Sequence, residues 1–250
     1  FILVSNPIRR DARETFEYFQ KEDVCIKVIS GDHPKAAAAV AKKAGIAEAD
    51  RYIDVSQLSD EELEKAAPVY TVFGRVSPEQ KKKLLLALKK AGNVVAMTGD
   101  GVNDVLALKE ADCSIAMASG SEAASNAAQI VLLDSDFARM PSVVLEGRRV
   151  VNNIQRSASL FLVKNLFSML MTLFTFVAVS KYPLYPTQLS FLGTFTIGTP
   201  AFLLAMQPDK SRIEGHFLTN VVLLALPAAL TDFILLAVLN VAGNCAGIGH

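Results

Sequence analysis

Met97-Thr98-Gly99-Asp100-Gly101-Val102-Asn103-Asp104 stands directly after an apolar run, Asn93–Met97, and directly before a run with helical spacing, Asp104–Glu110. Two carboxylates four residues apart are thereby set at the carboxyl end of a strand, the edge where doubly wound sheets bind ligands. Carboxylate oxygens of this kind suit Mg²⁺, which keeps several waters and shares its shell with phosphate oxygens. Gly99 and Gly101 leave the backbone open to close approach by a phosphate, and Asn103 offers an amide donor. A Gly-Asp-Gly can equally be no more than a tight turn, so the neighbouring segments decide.

Two further segments have the same strand-then-helix setting. Ile29-Ser30-Gly31-Asp32 ends an apolar run and precedes a helix opened by Pro34; the Ser30 hydroxyl can donate to a phosphoryl oxygen while Asp32 serves the turn or the helix start. Taken alone, that segment reads equally well as a helix cap. Arg75-Val76-Ser77-Pro78-Glu79-Gln80-Lys81 places Lys81 in the first turns of a helix with a capping start at Ser77, Pro78 and Gln80 and a stop at Gly92. A fixed ammonium there can neutralise charge that develops on a transferring phosphoryl group. Most helical lysines are surface lysines, and Lys81-Lys82-Lys83 reads as a solvated face; the order Ser30, Lys81, Asp100 is what raises Lys81 above that reading.

Short β-branched runs at Val24–Ile29, Val69–Phe73, Val94–Met97, Ser114–Met117 and Ile130–Leu133 alternate with helical patterns at Arg10–Lys21, Pro34–Ala44, Pro78–Ala91 and Asp104–Glu110. That alternation predicts an α/β fold, a Rossmann-type parallel sheet covered by helices. The first residues, Phe1–Val4, read as a strand with no secretory leader ahead of them, so the chain is expected to be a fragment. Asp50–Pro68 is acidic and weakly periodic and reads as a surface excursion with one short helix.

The remainder is different in kind. Only seven charged residues follow Ser157, and three apolar stretches, Ala158–Ser180, Thr187–Met206 and Phe217–Ala242, approach the ~20 residues that cross a bilayer. Arg148, Arg149 and Arg156 precede the first stretch and Lys210 and Arg212 lie between the second and third, which by the positive-inside rule places the sheet domain and the 207–216 loop in the cytoplasm. Lys plus Arg equals Asp plus Glu at 25 each, with no basic field, so no nucleic-acid partner is expected. Cys25, Cys113 and Cys245 show no metal-ligand spacing and read as reduced, structural thiols.

Thr-Gly-Asp-Gly-Val-Asn-Asp at 98–104 continues into Ala107-Leu108-Lys109, Ala111-Asp112, Ile115-Ala116-Met117, Gly120, Ala123-Ala124, Glu146-Gly147-Arg148 and Asn152-Asn153-Ile154. That series resembles the haloacid-dehalogenase-like phosphoryl-transfer domain of P-type cation-transporting ATPases and the start of their following membrane helix, most like the bacterial cation-transporting ATPase E and calcium-type group. The resemblance implies a phosphorylation-domain part at 1–147, then a connecting helix and an all-α region of about three transmembrane helices at 148–250 of a multi-pass plasma-membrane protein. It implies Asp100 and Asp104 as Mg²⁺ ligands, and Ser30, Lys81, Asn103 and Asp104 as catalytic residues. Ser30, Gly31, Asp32, Lys81 and Asn103 become phosphate contacts, with ATP as substrate. The family's Asp-Lys-Thr-Gly-Thr nucleophile sequence does not occur in these residues, so the intact protein is expected to carry it upstream and this chain alone to be inactive. Ser5-Asn6 departs from relatives that carry an acid there.

In the apolar half the resemblance places Asn165 at a cation-binding position of calcium pumps and matches Thr196 to a threonine. Ser168, Gly193 and Ile197 stand where those pumps carry further ligands, so a calcium site of that kind is not preserved. Gly198 and Pro200 are expected to break the second span and free carbonyls beside a cavity. Thr194, Thr196 and Thr199 fit helix back-bonding as well as cation contact, and Lys164 reads as a countercharge or a snorkelling side chain. The expected activity is ATP-driven transport of a cation, calcium favoured, through an aspartyl phosphate, with the bilayer and ATP as further partners. A membrane-anchored phosphatase of the haloacid-dehalogenase type is the main alternative; a degenerate binding-only relative and a lipid flippase are the others.

Overall fold

Parallel strands must be joined by crossovers, and the first unit of the chain is built from such crossovers. The computed structural model describes residues 8–178 and 182–245; the strand expected at Phe1–Val4, the Ser5-Asn6 departure, Ser180 and Lys181 lie outside them. The chain divides into two compact units, one ending at Ser142 and the other starting at Val143.

In the first unit the elements follow in the order α1 (Ala12–Lys21), β1 (Val28–Ile29), α2 (Pro34–Lys43), β2 (Tyr52–Asp54), α3 (Asp60–Val69), β3 (Val72–Gly74) and α4 (Pro78–Lys90), then β4 (Ala96–Gly99), α5 (Val105–Glu110), β5 (Cys113–Met117), α6 (Glu122–Ala127) and β6 (Ile130–Leu132). Among the described residues all strand pairs are parallel, in two three-stranded sheets ordered β1-β3-β2 and β4-β5-β6. One core holds Leu63 and Ala67 of α3, Phe73 of β3 and Leu84 of α4; a second holds Leu85, Met97, Leu108 and Ala116. Ile29 packs against both, so the two sheets share an interior. Because every strand runs the same way, Ser30, Arg75 and Asp100 all follow carboxyl ends.

The fold class agrees with the sequence reading, and several boundaries do not. Asp50–Pro68 is not a surface excursion: it supplies β2, which pairs with β3, and α3, whose Leu63, Ala66 and Ala67 are buried. Three buried apolar positions among five acidic or basic neighbours in α3 make a weak periodic signal, and a three-residue strand leaves almost none. Val69 ends α3 instead of opening β3, and the β1 and β4 ladders start later than their apolar runs. α6 was not anticipated from its short alanine-rich sequence. The cap at Ser77 is a full capping box with Gln80, whose amide also donates to Val55 O at 2.7 Å, and Gly92 takes positive φ beyond α4 as a stop should. Lys81, Lys82 and Lys83 are not a uniform solvated face, since they pair respectively with Asp104, Glu110 and Asp60.

The second unit carries the helix α7 (Met140–Val177) from Val143 onward, then α8 (Pro186–Leu192), a π-helical turn at Gly193–Gly198, α9 (Thr199–Met206) and α10 (Phe217–Cys245). Among the described residues three helical stretches, Phe137–Val177, Pro186–Met206 and Phe217–Gly243, are long and apolar enough to cross a membrane. Their outward apolar side chains, such as Phe161, Phe176, Phe202 and Leu218, are exposed as lipid-facing residues would be. The linker between the second and third stretches is tied to α7. Asn152 donates to Ser211 O at 3.1 Å, Asn153 to Ala205 O at 3.1 Å, and Arg156 pairs with Asp209. Asp209 also accepts from the Ser211 hydroxyl and amide, and these bonds, ahead of Arg156, hold its carboxyl below the usual range.

Lys89 fastens α4 to the start of β5. Its ammonium bonds Asp112 at 2.7 Å and the Glu110 carbonyl at 2.9 Å, while Asp112 accepts from Val95 N at 2.9 Å. The Lys89 bond first and the Val95 bond second hold the Asp112 carboxyl below its ordinary value. A carboxyl with a depressed folded pKa stabilises fully above its unfolded pKa and loses that contribution as pH falls through the folded value. The melting temperature of the protein should therefore fall on acidification through and below the ordinary carboxylate range. Asp112→Asn keeps an oxygen for Val95 and should fall less steeply; equal slopes would show that this tie contributes nothing.

Candidate functional site

At the carboxyl end of β4 the backbone turns through a 3₁₀ turn, Val102–Asp104, into α5. Asp104 N donates to Gly101 O at 3.1 Å, and the Asp104 carboxylate reaches back to accept from Gly101 N at 3.1 Å. Its other oxygen accepts from Lys81 Nζ at 2.7 Å, in a pair whose side chains are only 14% and 11% exposed. Gly99 makes this possible: a Cβ there would lie 2.5 Å from Asp104 Cβ and 2.8 Å from its Cγ. The need for glycine at 99 is thus met inside the protein, by the Asp104 side chain, where the sequence suggested room for a phosphate.

Asp100 is set differently. It is exposed, and its main chain is fixed by Ser121 N, which donates to Asp100 O at 2.7 Å. Gly120 lies so close that a Cβ on it would come 2.5 Å from Asp100 O. Asn103 is exposed at the mouth of the same turn. One carboxylate is therefore engaged and nearly buried while its neighbour is free to take a ligand.

Ser30 is held by the strand ladder and by the connector to α4. Ser30 N donates to Phe73 O at 2.9 Å and Val76 N donates to Ser30 O at 3.0 Å. The Ser30 hydroxyl accepts from Asp32 N and donates to Asp32 Oδ2, both at 3.1 Å. Asp32 thus serves the turn; the start of α2 is capped by His33, whose Nδ1 accepts from Lys35 N at 3.3 Å. Gly31 is exposed with open space where a Cβ would stand.

Other contributors were not singled out from sequence. Gly74 packs on the first turn of α2, where a Cβ would lie 2.5 Å from Pro34 Cα and N. Arg75 has φ of +55°, donates its amide to Asp32 O at 2.8 Å, and pairs with Asp54 at 3.3 Å. The sequence signal for these was a glycine closing a strand and an arginine directly after it; nothing local marks Arg75 as left-handed. Through these bonds the Ser30 turn, the start of α4, Lys81 and the Asp104 turn form one connected frame.

Among the described residues no three His, Cys, Asp or Glu side chains converge to hold a metal ion. An exposed carboxylate at Asp100, beside an engaged one at Asp104, suits Mg²⁺ that brings its own waters and phosphate oxygens, not an all-protein cage. In the membrane helices Thr194, Thr196 and Thr199 each back-bond, to Ser190 O at 3.1 Å, Leu192 O at 2.7 Å and Thr194 O at 3.2 Å. Asn165 is exposed on α7.

Residues 1–112 match the haloacid dehalogenase-like hydrolase family. The probable cation-transporting ATPase exp7 of Streptococcus pneumoniae is 44% identical over 91% of this chain and 30% of its own length. The chain belongs to the P-type cation-transporting ATPases. The calcium-transporting ATPase CtpE of Mycobacterium bovis is 43% identical over 92% of the chain and 30% of its own length, and a calcium-transporting ATPase of Bacillus subtilis is 35% identical over 82% and 24%. The chain thus spans under a third of the length of the curated relatives it matches. A crystal structure of a zinc-transporting PIB-type ATPase shares the fold at a TM-score of 0.57, with 22% identity over 88% of this chain and 28% of that one. Family membership and three apolar helices of bilayer length support a place in the membrane.

Removing the Lys81 ammonium while leaving Asp104 strands a nearly buried carboxylate, a change that costs about 3–5 kcal/mol when the pair is well buried. Lys81→Met should therefore speed hydrogen exchange of the β4 and α5 amides in the full-length protein. Lys81→Met combined with Asp104→Asn should restore most of that protection. Protection unchanged in the single variant would mean that the pair does not hold the turn.

Proposed function

We propose that this chain is the metal- and phosphate-handling part, with the first following membrane helices, of an ATP-driven cation pump that works through an aspartyl phosphate. The observation that carries this reading is the exposed Asp100 carboxylate beside the Lys81–Asp104 pair, at the carboxyl end of a parallel strand. Family membership and the three candidate spans support it. The functional division falls at 147/148: phosphoryl chemistry before, passage of the ion after.

In this reading Asp100 holds Mg²⁺, which when bound neutralises charge on the phosphoryl oxygens. Lys81, kept in place by Asp104, presents its remaining N–H donors to the phosphoryl group, and Asp104 also fixes the turn at Gly101 that aims Asp100. The Ser30 hydroxyl, now donating to Asp32, would rotate to donate to a phosphoryl oxygen, with Gly31 leaving the approach open. Asn103 supplies an amide donor from the exposed side of the turn. The phosphate-accepting aspartate belongs to a part of the protein other than these 250 residues.

The cargo reading favours calcium, because relatives at 43% and 35% identity are named calcium-transporting. Asn165, and the Thr196 oxygen whose lone pairs remain open while its hydrogen is donated to Leu192, are the proposed ion contacts. The basic residues flanking the first helix and in the 207–216 linker support a cytoplasmic sheet unit by the positive-inside rule.

The test is phosphorylation of the full-length protein in membranes by labelled ATP, with calcium, manganese, sodium or potassium varied over constant Mg²⁺. One ion should promote an acid-stable, hydroxylamine-sensitive phosphoprotein, and Asp100→Asn should reduce its rate of formation by about 10²-fold or more. If no ion promotes it, transport fails and the membrane-anchored phosphatase takes its place.

A further inference from the structure

Helix α5 has only six residues, about 9 Å of length, and carries the Asp104 turn at its start. A helix that short has no stability of its own, so its direction is set by what holds its two ends. Consecutive lysines of α4 hold both. Lys81 bonds Asp104, the residue that opens α5, at 2.7 Å, and Lys82 bonds the carboxylate of Glu110, its last residue, also at 2.7 Å. Between those ends Ala107 and Leu108 pack into the core that holds Leu85 of α4.

Glu110 is the unexpected member. A carboxylate in the last turn of a helix faces the negative end of the helix dipole, where a cation is the favoured residue. The compensating cations come from the neighbouring helix. Lys82 takes the Glu110 side chain, and Lys89, seven residues further along α4, takes its carbonyl at 2.9 Å. The Lys82 hydrogen bond, and then the charge of the same ammonium, hold the Glu110 carboxyl below its ordinary value. Yet Lys82 and Glu110 are 40% and 35% exposed, and ion pairs open to water contribute little to overall stability. What the pair fixes is direction. With the Glu110 side chain released, α5 can tilt about its Asp104 end, and the carboxylate that accepts from both Lys81 and Gly101 N turns with it.

We propose that Lys82 and Glu110 are positioning residues for phosphoryl transfer: their pair sets the tilt of α5, and through Asp104 the aim of the Lys81 ammonium and of Asp100. This rests on the reading of Asp100 as the Mg²⁺ carboxylate. A misplacement of about 1 Å at a reacting centre costs far more in function than a half-exposed ion pair contributes to stability, so the two effects separate in experiment.

Two measurements on the full-length protein test this: the Mg²⁺ concentration for half-maximal phosphoprotein formation from ATP in membranes, and the melting temperature in detergent without ATP, with and without Mg²⁺. The variants are Lys82→Met, Glu110→Gln, the two combined, and Lys82→Arg. Either single change to a neutral residue should raise the half-maximal Mg²⁺ concentration by about fivefold, the combination should do no more than either alone, and Lys82→Arg should stay within about twofold of wild type. Without Mg²⁺ all four should melt close to wild type. A half-maximal Mg²⁺ concentration unchanged in both single variants, or single effects that add in the double variant, overturns the proposal. So does a lower Mg²⁺-free melting temperature with no change in Mg²⁺ dependence, which would make the pair a stability tie alone. If wild type forms no phosphoprotein while Mg²⁺ still raises its melting temperature, and both single variants need more Mg²⁺ for that rise, the pump reading falls and the positioning role stands. No effect of Mg²⁺ on wild type in either measurement overturns both.

Discussion

The Lys81–Asp104 ion pair organises the first unit. A carboxylate that is 11% exposed needs both a countercharge and hydrogen bonds, and Asp104 has them from Lys81 at 2.7 Å and Gly101 N at 3.1 Å. One partner lies on α4 and the other between β4 and α5, so the pair joins elements associated with different three-stranded sheets. Gly99 must lack a side chain for Asp104 to fit, and Gly120 must lack one for Asp100 to keep its place. The geometry of this strand edge is therefore determined by steric exclusion as much as by attraction.

Much of this edge could be read in advance because its chemistry is compressed into short, ordered segments. Met97–Asp104, Ile29–Asp32 and Arg75–Lys81 each follow an apolar run and lead into a helix, and the structure sets them at one end of parallel strands. What sequence did not reveal was the reason for each residue. Gly99 looked like room for a ligand, yet its space is taken by Asp104; Asp32 looked equally like a cap or a turn, and the cap is His33. Such choices depend on which atoms meet after folding, and spacing along the chain does not carry that information.

The fold itself was legible where burial is two-sided and runs are apolar, as at Val72–Gly74 and Cys113–Met117. It was poorly legible at Tyr52–Asp54 and Asp60–Val69, where short elements have one buried edge under a charged exterior. In the second unit, length and apolarity gave the spans, whereas the π turn left only its two glycines and Pro200 as local signs. That the threonines there bond back to their own helix follows from their χ1 preferences within helical backbone, a local rule that nonetheless left two outcomes open.

The ties between α7 and the linker that follows the second span have a mechanical consequence. Asn152 and Arg156 stand four residues apart, one helical turn, and both grip the segment that contains Asp209 and Ser211, while Asn153 holds Ala205 at the end of α9. A helix gripped on one face at this height cannot spin about its axis as a free rod. Any twist of α7 is geared to the linker, and through Ala205 to the lower end of the second span, so a small turn of one shaft becomes a displacement of the next.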